Sequence, residues 1–231
     1  LNPSQLVKGS TKLDIQDTSA FSVGSLVMVS LGNDPTIPVI NVFGYDNRPS
    51  EGQWQGMRRQ ITRVVSKTAN SLSIFPELYG DYTGSPNAIV LTVPFQTAGI
   101  GVEDLSIDCS NGSTIFPLSF VTAYGCWAKN VKVEYSTNYG IYINESLQCE
   151  VRHSWVGQAK NQGGTSHCGF LIDTATACLV EDNVITNNFP SMMISQGSCG
   201  NVISYNFCWD STANGVSGAA INTNHGPHNS Y

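Results

Sequence analysis

Charged residues are scarce in this chain of 231 amino acids, where Asp, Glu, Lys and Arg make up only 12%, about half of the usual quarter. No run of Lys or Arg occurs and the net charge is −6, so we expect no nucleic-acid partner and no anionic-membrane patch. No apolar run approaches the roughly 18 residues of a membrane-spanning helix. The 22 glycines and 10 prolines favour a β-rich, turn-rich, exported domain over a helical bundle or a disordered tail.

Cysteine is missing from the first 108 residues, and the later cysteines form no C-x-x-C pair and no zinc-type Cys/His spacing. The seven cysteines stand at positions 109, 126, 149, 168, 178, 199 and 208. This spacing is less typical of a disulfide framework than of residues that recur once per structural repeat. We therefore interpret most of them as small buried hydrophobic side chains and expect no structural metal site.

A repeat runs through the second half of the sequence. Short apolar segments with β-branched residues recur from residue 100 onward, separated by Gly, Asn, Ser and Thr. One series places Val102, Ala128, Val151, Val180 and Ile203 in a column, at steps of 26, 23, 29 and 23 residues. A parallel column holds Ile107, Val133, Val156, Ile185 and Cys208. A second series of segments ends at Val121, Asn144, Asp173, Ser195 and Asn222 and keeps a similar step.

A repeat unit of this length cannot bury its own apolar face, but stacked units can. Like strands then pair with like at about 4.8 Å per coil, and the apolar columns point inward to form one core. Between the two inward columns, Ser154, Asn183 and Asn206 share a third column, where stacked Asn side chains can hydrogen-bond from coil to coil. The pattern predicts a solenoid of about five coils.

Two segments of this repeat resemble the pectate-lyase-like right-handed parallel β-helix superfamily. Residues 99–108 (GIGVEDLSID) look like its first coil, and residues 180–188 (VEDNVITNN) look like an asparagine-ladder coil. The resemblance covers about residues 99–231. It implies an all-β, right-handed parallel β-helix from a mostly secreted family that acts on or binds polysaccharides, as lyases, glycoside hydrolases, epimerases, phage tailspikes or adhesins. No residue matches a catalytic signature, so no active site is carried over.

Residues 1–98 lack the repeat, and we predict that they form a separate small antiparallel β subdomain before the β-helix of residues 99–231. Residues 60–66 and 71–75 predict a hairpin. A long loop over residues 32–58, rich in Pro, Gly and Asn, is expected to carry Trp54, Arg58 and Arg59. Loops of this length inside a compact domain are usually functional or mobile, so Trp54 is a candidate sugar-stacking residue.

Catalytic side chains on a β-helix must project outward from neighbouring coils. A lyase needs a base and a cation such as Ca²⁺ or Arg, and a hydrolase needs two carboxyl groups. Asp173 ends its segment, while long connections between the two strand series supply Lys160, His167 and Asp210. We predict that these four residues line a groove for acid/base chemistry or a cation, and Ca²⁺ is the only cofactor that this chemistry suggests. Ordinary solvated loop side chains are the alternative.

Two outward columns on the main strands supply candidate substrate-binding residues. Arg152 belongs to a column of alternating charge that forms either an ion-pair ladder or part of a ligand strip. His153 and Asp182 stand in the next column, beside Arg152. Near the end of the chain, His225 and His228 form a His-x-x-His pattern that predicts either a transition-metal site or a turn bonded to the next coil.

Two functions remain open from the sequence. One is a secreted polysaccharide lyase or glycoside hydrolase. The other is a non-catalytic glycan-binding, adhesin-like, tailspike-like or structural β-helix. A clustered acid/base set with perturbed pKa values would favour the enzyme, and exposed aromatic residues without such a set would favour the binder. In both cases the expected partner is a polysaccharide.

The two ends of the chain suggest a segment of a longer protein. The sequence begins at Leu1 without an initiator Met or a signal peptide, which indicates a mature or excised segment. It stops at Tyr231 directly after a predicted strand, without a helix to cover the last coil. Because solenoids need such caps, we expect either further coils of a longer chain or another subunit at this end.

Overall fold

The computed structural model describes residues 6–31, 58–83, 89–93, 96–160 and 168–211, together with the backbone of residues 212–213, 216–217, 221–223 and 228–230. Within these ranges the chain forms strands and turns. No helix capable of crossing a membrane is found in them. The strands build a β-solenoid of about five turns with an antiparallel sheet beside it, which confirms the predicted fold class.

The antiparallel sheet has five strands in the order β1-β4-β3-β2-β5. They are β1 (Lys12–Asp14), β2 (Leu26–Leu31), β3 (Arg58–Lys67), β4 (Ser71–Phe75) and β5 (Ile89–Thr92). The predicted hairpin is confirmed, because β3 pairs antiparallel with β4. The assignment of Arg58 and Arg59 to the long loop is wrong: they pair with Leu31 and Ser30, since the ladder between β2 and β3 continues to the end of β2. Trp54 lies outside the described residues.

The solenoid consists of two parallel sheets. The main sheet contains β7 (Gly101–Asp108), β10 (Trp127–Glu134), β12 (Glu150–Arg152), β13 (Trp155–Gly157), β15 (Leu179–Glu181), β16 (Val184–Thr186), β18 (Cys199–Ser204), β19 (Phe207–Trp209) and β23 (His228–Ser230). The second sheet contains β8 (Leu118–Val121), β11 (Ile141–Asn144), β14 (Phe170–Asp173), β17 (Met192–Ser195) and β22 (Ile221–Thr223). Within each coil the chain passes first along the main sheet and then along the second sheet. We number the coils by their second-sheet strand, so that coils 1 to 5 contain β8, β11, β14, β17 and β22 in turn.

Short pairings complete the coils. β6 (Thr97–Ala98) pairs in parallel with β9 (Ala123–Tyr124), and single bridges extend this line through Leu147, Thr176 and Cys199. We call it the bridge line. A small antiparallel pair, β20 (Thr212–Ala213) with β21 (Val216–Ser217), follows the last described coil of the main sheet.

The strand register confirms both predicted inward columns. Ala128 pairs with Val102 on one side and Val151 on the other, and the column continues through Val180 to Ile203. The column that starts at Ile107 is equally continuous, and both belong to one apolar core. The last coil differs from the prediction. Ile221 pairs with Met192 rather than with Ile194, so this strand is shifted by two residues from the predicted alignment.

The cysteines are free thiols, and all of them except Cys208 are buried. Their interpretation as small buried side chains is confirmed for those six. Cys149 and Cys178 occupy equivalent places on successive coils, where the Cys149 N–H donates to Cys178 Sγ at 3.4 Å. The Cys178 thiol therefore accepts a backbone hydrogen bond between coils, whereas the thiols of Cys126, Cys149 and Cys199 donate to backbone carbonyls.

Strand β3 of the antiparallel sheet packs along the bridge line of the solenoid. The Ile61 N–H donates to the buried Thr176 Oγ1 at 2.9 Å. Leu26, Met28, Ile61, Val93 and Leu147 form a buried apolar cluster across the contact. This packing brings the beginning of β3, with Arg59, to the corner where the second-sheet strands end.

Candidate functional site

A charged corner lies where the second sheet ends and the chain turns toward the bridge line. It consists of Arg59, Glu145, Asp173, Thr174 and Ser195. Asp173 is the last residue of β14, and its neighbours in the sheet are Asn144 and Ser195. Glu145 and Thr174 follow their strands with φ of 46° and 50°. These left-handed residues turn the chain sharply, so the side chains of neighbouring coils lie side by side at the corner.

The charged corner contains a carboxyl group with a strongly perturbed pKa. Burial raises the pKa of Asp173 to about 6, and the Glu145 carboxylate also raises it, against the opposing effects of Thr174, Arg59 and Ser195. Thr174 Oγ1 lies 3.3 Å from Asp173 Oδ1 and accepts a hydrogen bond from Arg59 Nη1 at 3.4 Å. Burial lowers the pKa of Arg59, while Asp173 and Glu145 raise it. The arrangement places one partly buried cation next to two carboxyl groups on adjacent coils.

Three aromatic side chains lie near the beginning of strands β8 and β11, the second of which ends beside the charged corner. Phe116 lies with its ring centroid 4.6 Å from that of Tyr142 and 5.5 Å from that of Tyr139, and the Tyr139 and Tyr142 centroids are 6.3 Å apart. We call these residues the aromatic trio. Tyr142 connects the two groups: burial raises its pKa, and the charges of Asp173 and Glu145 raise it further. The outer surface of coils 1 to 3 therefore combines aromatic rings with a carboxyl group of raised pKa.

The chemistry open to this surface follows from Asp173. A carboxyl group with a pKa of about 6 can hold or release a proton close to neutral pH, as a general acid or base must. Glu145 supplies the second carboxyl group that glycoside hydrolysis requires. Arg59 can offer guanidinium hydrogen bonds to hydroxyl or carboxylate oxygens.

The other predicted catalytic residues have different surroundings. The Lys160 backbone N–H donates to Ser136 O, and its ammonium group donates to Gly112 O. Asp210 directly follows β19 with φ of 53°. Both residues lie in connections that lead from the main sheet to the second sheet, so they are near the beginning of the second-sheet strands. Asp173 lies at the end of such a strand, and the length of a strand therefore separates Lys160 and Asp210 from it. His167 lies outside the described residues.

The predicted substrate-binding residues of the main sheet do lie together. His153 Nδ1 is 2.8 Å from Asp182 Oδ2, and Arg152 Nε is 3.7 Å from Glu181 Oε2 on the next coil. His153 and Asp182 also have φ of 49° and 54°, and therefore form the corner between the two main-sheet strands of each coil. Partly exposed pairs of this kind contribute about 0 to 1 kcal/mol to stability, so the ion-pair ladder accounts for Arg152 without a ligand.

The predicted metal residues cannot be placed. His225 lies outside the described residues, and of His228 only the backbone, at the start of β23, is described. In the described part of the chain, no three His, Cys, Asp or Glu side chains converge in a way that could hold a metal ion. The structure therefore assigns no position to Ca²⁺ or to another cofactor.

Sequence reasoning found Asp173 but missed Arg59, Glu145 and Tyr142. Glu145 could have been found, because it follows Asn144, the neighbour of Asp173 in the repeat. Arg59 could not have been found, because it reaches the charged corner only through packing between distant segments of the chain. Its contact with Thr174 joins residues 115 positions apart.

We expect the substitution Asp173→Asn to flatten the pH dependence of stability. The folded-state pKa of Asp173, about 6, lies above its ordinary value of 3.8, so the folded chain binds this proton more tightly than the unfolded chain does. The destabilisation is complete above pH 6 and is relieved as the pH falls toward 4. Between about pH 7.5 and pH 4.5, the wild-type chain should gain roughly 2 kcal/mol over the variant, measured by chemical denaturation. Identical pH profiles would contradict the raised pKa.

Comparison with known proteins supports the fold. No protein-family model matches the sequence, and no curated protein sequence matches it significantly. Among solved structures, the tailspike gp61 of Pseudomonas phage phi297 is similar, with a TM-score of 0.59 and 13% identity, over 86% of this chain and 32% of that one. The chain thus spans about a third of that tailspike's length.

Two further phage tailspikes show weaker similarity. For gp49 of Pseudomonas phage LKA1, the TM-score is 0.43 at 12% identity, over 87% of this chain and 40% of the tailspike. For gp54 of Acinetobacter baumannii bacteriophage AP22, solved in complex with a capsular saccharide, the TM-score is 0.38 at 12% identity, over 88% of this chain and 44% of the tailspike. The fold conclusion rests on the first tailspike and on the strand pairing of this chain: the protein is a parallel β-helix of the kind found in phage tailspikes.

Proposed function

We propose that this chain is part of a tailspike-like protein that binds a polysaccharide, and that the charged corner and the aromatic trio form the binding site. The observation that carries the proposal is a shared outward face: Tyr142 lies on β11 two residues before Asn144, the sheet neighbour of Asp173. The similarity to a phage tailspike supports it at the level of the fold. A glycan-binding role of this kind places the protein outside the cell, in keeping with its low charge content.

The chemistry of the surface matches that of a sugar. A pyranose has an apolar face of C–H groups and a periphery of hydroxyl groups, so it needs a ring to stack on and polar groups at the edge. The aromatic trio can provide the first, as aromatic rings bury large apolar areas. Arg59 and the carboxyl groups of Glu145 and Asp173 provide charged hydrogen-bonding partners, which form stronger hydrogen bonds than neutral groups do.

Binding of bacterial surface polysaccharides and plant polysaccharides, immobilised as a panel, tests this proposal. We expect at least one polysaccharide to bind, and Tyr142→Ala to weaken that binding about tenfold through loss of stacking. The variant Val23→Ser serves as control, because Val23 is an exposed residue of the antiparallel subdomain. No binding across the panel, or equal binding by wild type and Tyr142→Ala, would contradict the site.

Hydrolysis of the bound glycan is a second candidate function, which the raised pKa of Asp173 beside Glu145 favours. Protonated Asp173 would donate its proton to the glycosidic oxygen as the C–O bond breaks. Glu145 would activate the water that adds to the anomeric carbon, or attack that carbon first. Because Asp173 acts here as the acid, activity should fall as the pH rises through about 6.

The two functions are separated by assaying the bound polysaccharide for new reducing ends and for unsaturated products. Hydrolysis predicts reducing ends that disappear in Asp173→Asn while binding persists. Unsaturated ends would indicate a lyase instead. If a tightly bound polysaccharide yields neither product at any pH, the protein is a binder only.

A further inference from the structure

Another group of aromatic side chains lies on the main sheet, at coil 5. Tyr205, Phe207 and Trp209 are 85%, 59% and 64% exposed. Phe207 and Trp209 alternate with the inward Cys208 on β19 and so project from the same face. Their centroids are 6.5 Å apart and their planes differ by 11°. At this separation the rings leave much of each other's faces uncovered, and more than half of the surface of each residue is exposed to solvent. We call the three residues the aromatic shelf.

Tyr205 occupies a position where an aromatic residue is unfavourable. Its φ of 55° is left-handed, like that of Asp104, Asn130, His153 and Asp182 at the same corner of the preceding coils. Those four side chains are polar, and Asp and Asn tolerate this conformation best. The corner therefore holds a bulky ring that backbone preference disfavours and that, at 85% exposure, contributes little to packing. The recurring conformation is the turn geometry of the solenoid, so neither the turn nor packing requires an exposed ring at this position.

The size of the aromatic shelf argues against a protein partner. With about 150–250 Å² for each aromatic side chain, the exposed fractions correspond to a surface on the order of 400 Å². A stable protein interface buries about 800 Å² on each partner. A patch of half that area, one coil high, suits one or two sugar rings.

The edge of the aromatic shelf is polar and carries more negative than positive charge. Tyr205 follows the exposed Asp182 in its column, and Asp182 contacts His153. Thr186 is the neighbour of Trp209 in the sheet, and Ser204 Oγ donates to Glu181 Oε1 at 3.3 Å. Glu181 is paired with Arg152, so it is the exposed carboxylate of Asp182 that would repel a uronate and that can accept hydrogen bonds from the hydroxyl groups of a neutral sugar.

We propose that Tyr205, Phe207 and Trp209, together with His153 and Asp182, form a second carbohydrate-binding site, selective for neutral sugars. This inference takes its ligand class, a carbohydrate, from the proposed function. The second site shares no residue with the charged corner or the aromatic trio. Phe207 and Trp209 stack on the apolar face of a pyranose, Tyr205 closes one side, and Asp182 accepts hydrogen bonds from its hydroxyl groups.

The test uses the whole 231-residue chain and tryptophan fluorescence, with neutral gluco-, galacto- and manno-oligosaccharides as probes beside matched uronate oligosaccharides. A neutral oligosaccharide should change the fluorescence of the wild type and of Tyr142→Ala with equal affinity. Phe207→Ala should weaken that binding about tenfold, and Val23→Ser should leave it unchanged. Because Phe207 is exposed, Phe207→Ala should unfold at the same denaturant concentration as the wild type.

The outcomes separate this site from the first one. Binding that is lost in Tyr142→Ala but kept in Phe207→Ala would overturn the second site and leave the proposed function intact. Loss in Phe207→Ala alone supports the second site even if the charged corner binds nothing. Preference for uronates, no response to any neutral probe, or self-association of the wild type that Trp209→Ala abolishes in sedimentation would each overturn the proposal.

Discussion

Alanine in place of Asn183 should lower the free energy of unfolding by about 3 to 5 kcal/mol. The Asn183 side chain is buried inside the solenoid, where its Oδ1 accepts from the Ser154 N–H at 2.9 Å. Its Nδ2 donates to Val151 O at 3.0 Å and to Asn206 Oδ1 at 2.9 Å. Alanine leaves the Ser154 N–H and the Val151 carbonyl without these partners where water cannot reach, and each unpaired group costs about 1 to 3 kcal/mol.

The position of Asn183 in its column supplies graded controls for this measurement. Asn183→Ser introduces the residue that the preceding coil has, where Ser154 Oγ accepts from the Val131 N–H at 3.1 Å. It should therefore retain part of the stability in chemical denaturation. Asn206→Ala should cost less than Asn183→Ala, because Asn206 is only partly buried. A loss below about 1 kcal/mol for Asn183→Ala, or equal losses at positions 183 and 206, would show that the ladder does not carry the expected energy.

The asparagine ladder and the inward columns were predictable because a solenoid repeats one local solution. Val151 and Val180 stand at the same place in the repeat, and the structure pairs them directly. Polar Ser154 and Asn183 between apolar columns indicated a ladder for the same reason. The repeat weakened only in the last coil, where Ile221 is the neighbour of Met192. There the sequence offered two alignments that bury alternate residues equally well, so periodicity could not choose between them.

Only part of the charged corner could be predicted, because Asp173 and Glu145 belong to the solenoid repeat whereas Arg59 comes from the antiparallel sheet. Asp173 and Glu145 follow second-sheet strands, so the column logic that identified Asp173 also applies to Glu145. Arg59 belongs to β3 in the antiparallel sheet, and it reaches Thr174 because Ile61 and the apolar cluster pack β3 on the bridge line. Packing between different modules leaves no periodic signal in a sequence. The left-handed backbone at the corners was unpredictable for another reason. Glycine usually marks such positions, but here His153 and Tyr205 occupy them.

Phe170→Ala should lower the free energy of unfolding by about 3 to 5 kcal/mol, because it removes a ring from the centre of the solenoid. Phe170 is fully buried and lies between Ile141 and Met192 on the neighbouring coils. The cavity cannot close easily, because hydrogen bonds fix β14 in register on both sides. Chemical denaturation compares Phe170→Ala with Phe207→Ala, the same substitution at a buried and at an exposed position. Because Phe207 is exposed, Phe207→Ala should change the free energy of unfolding by less than about 0.5 kcal/mol. Equal losses at the two positions would mean that Phe207 is covered by something else in solution, and the aromatic shelf would then not be free to bind a sugar.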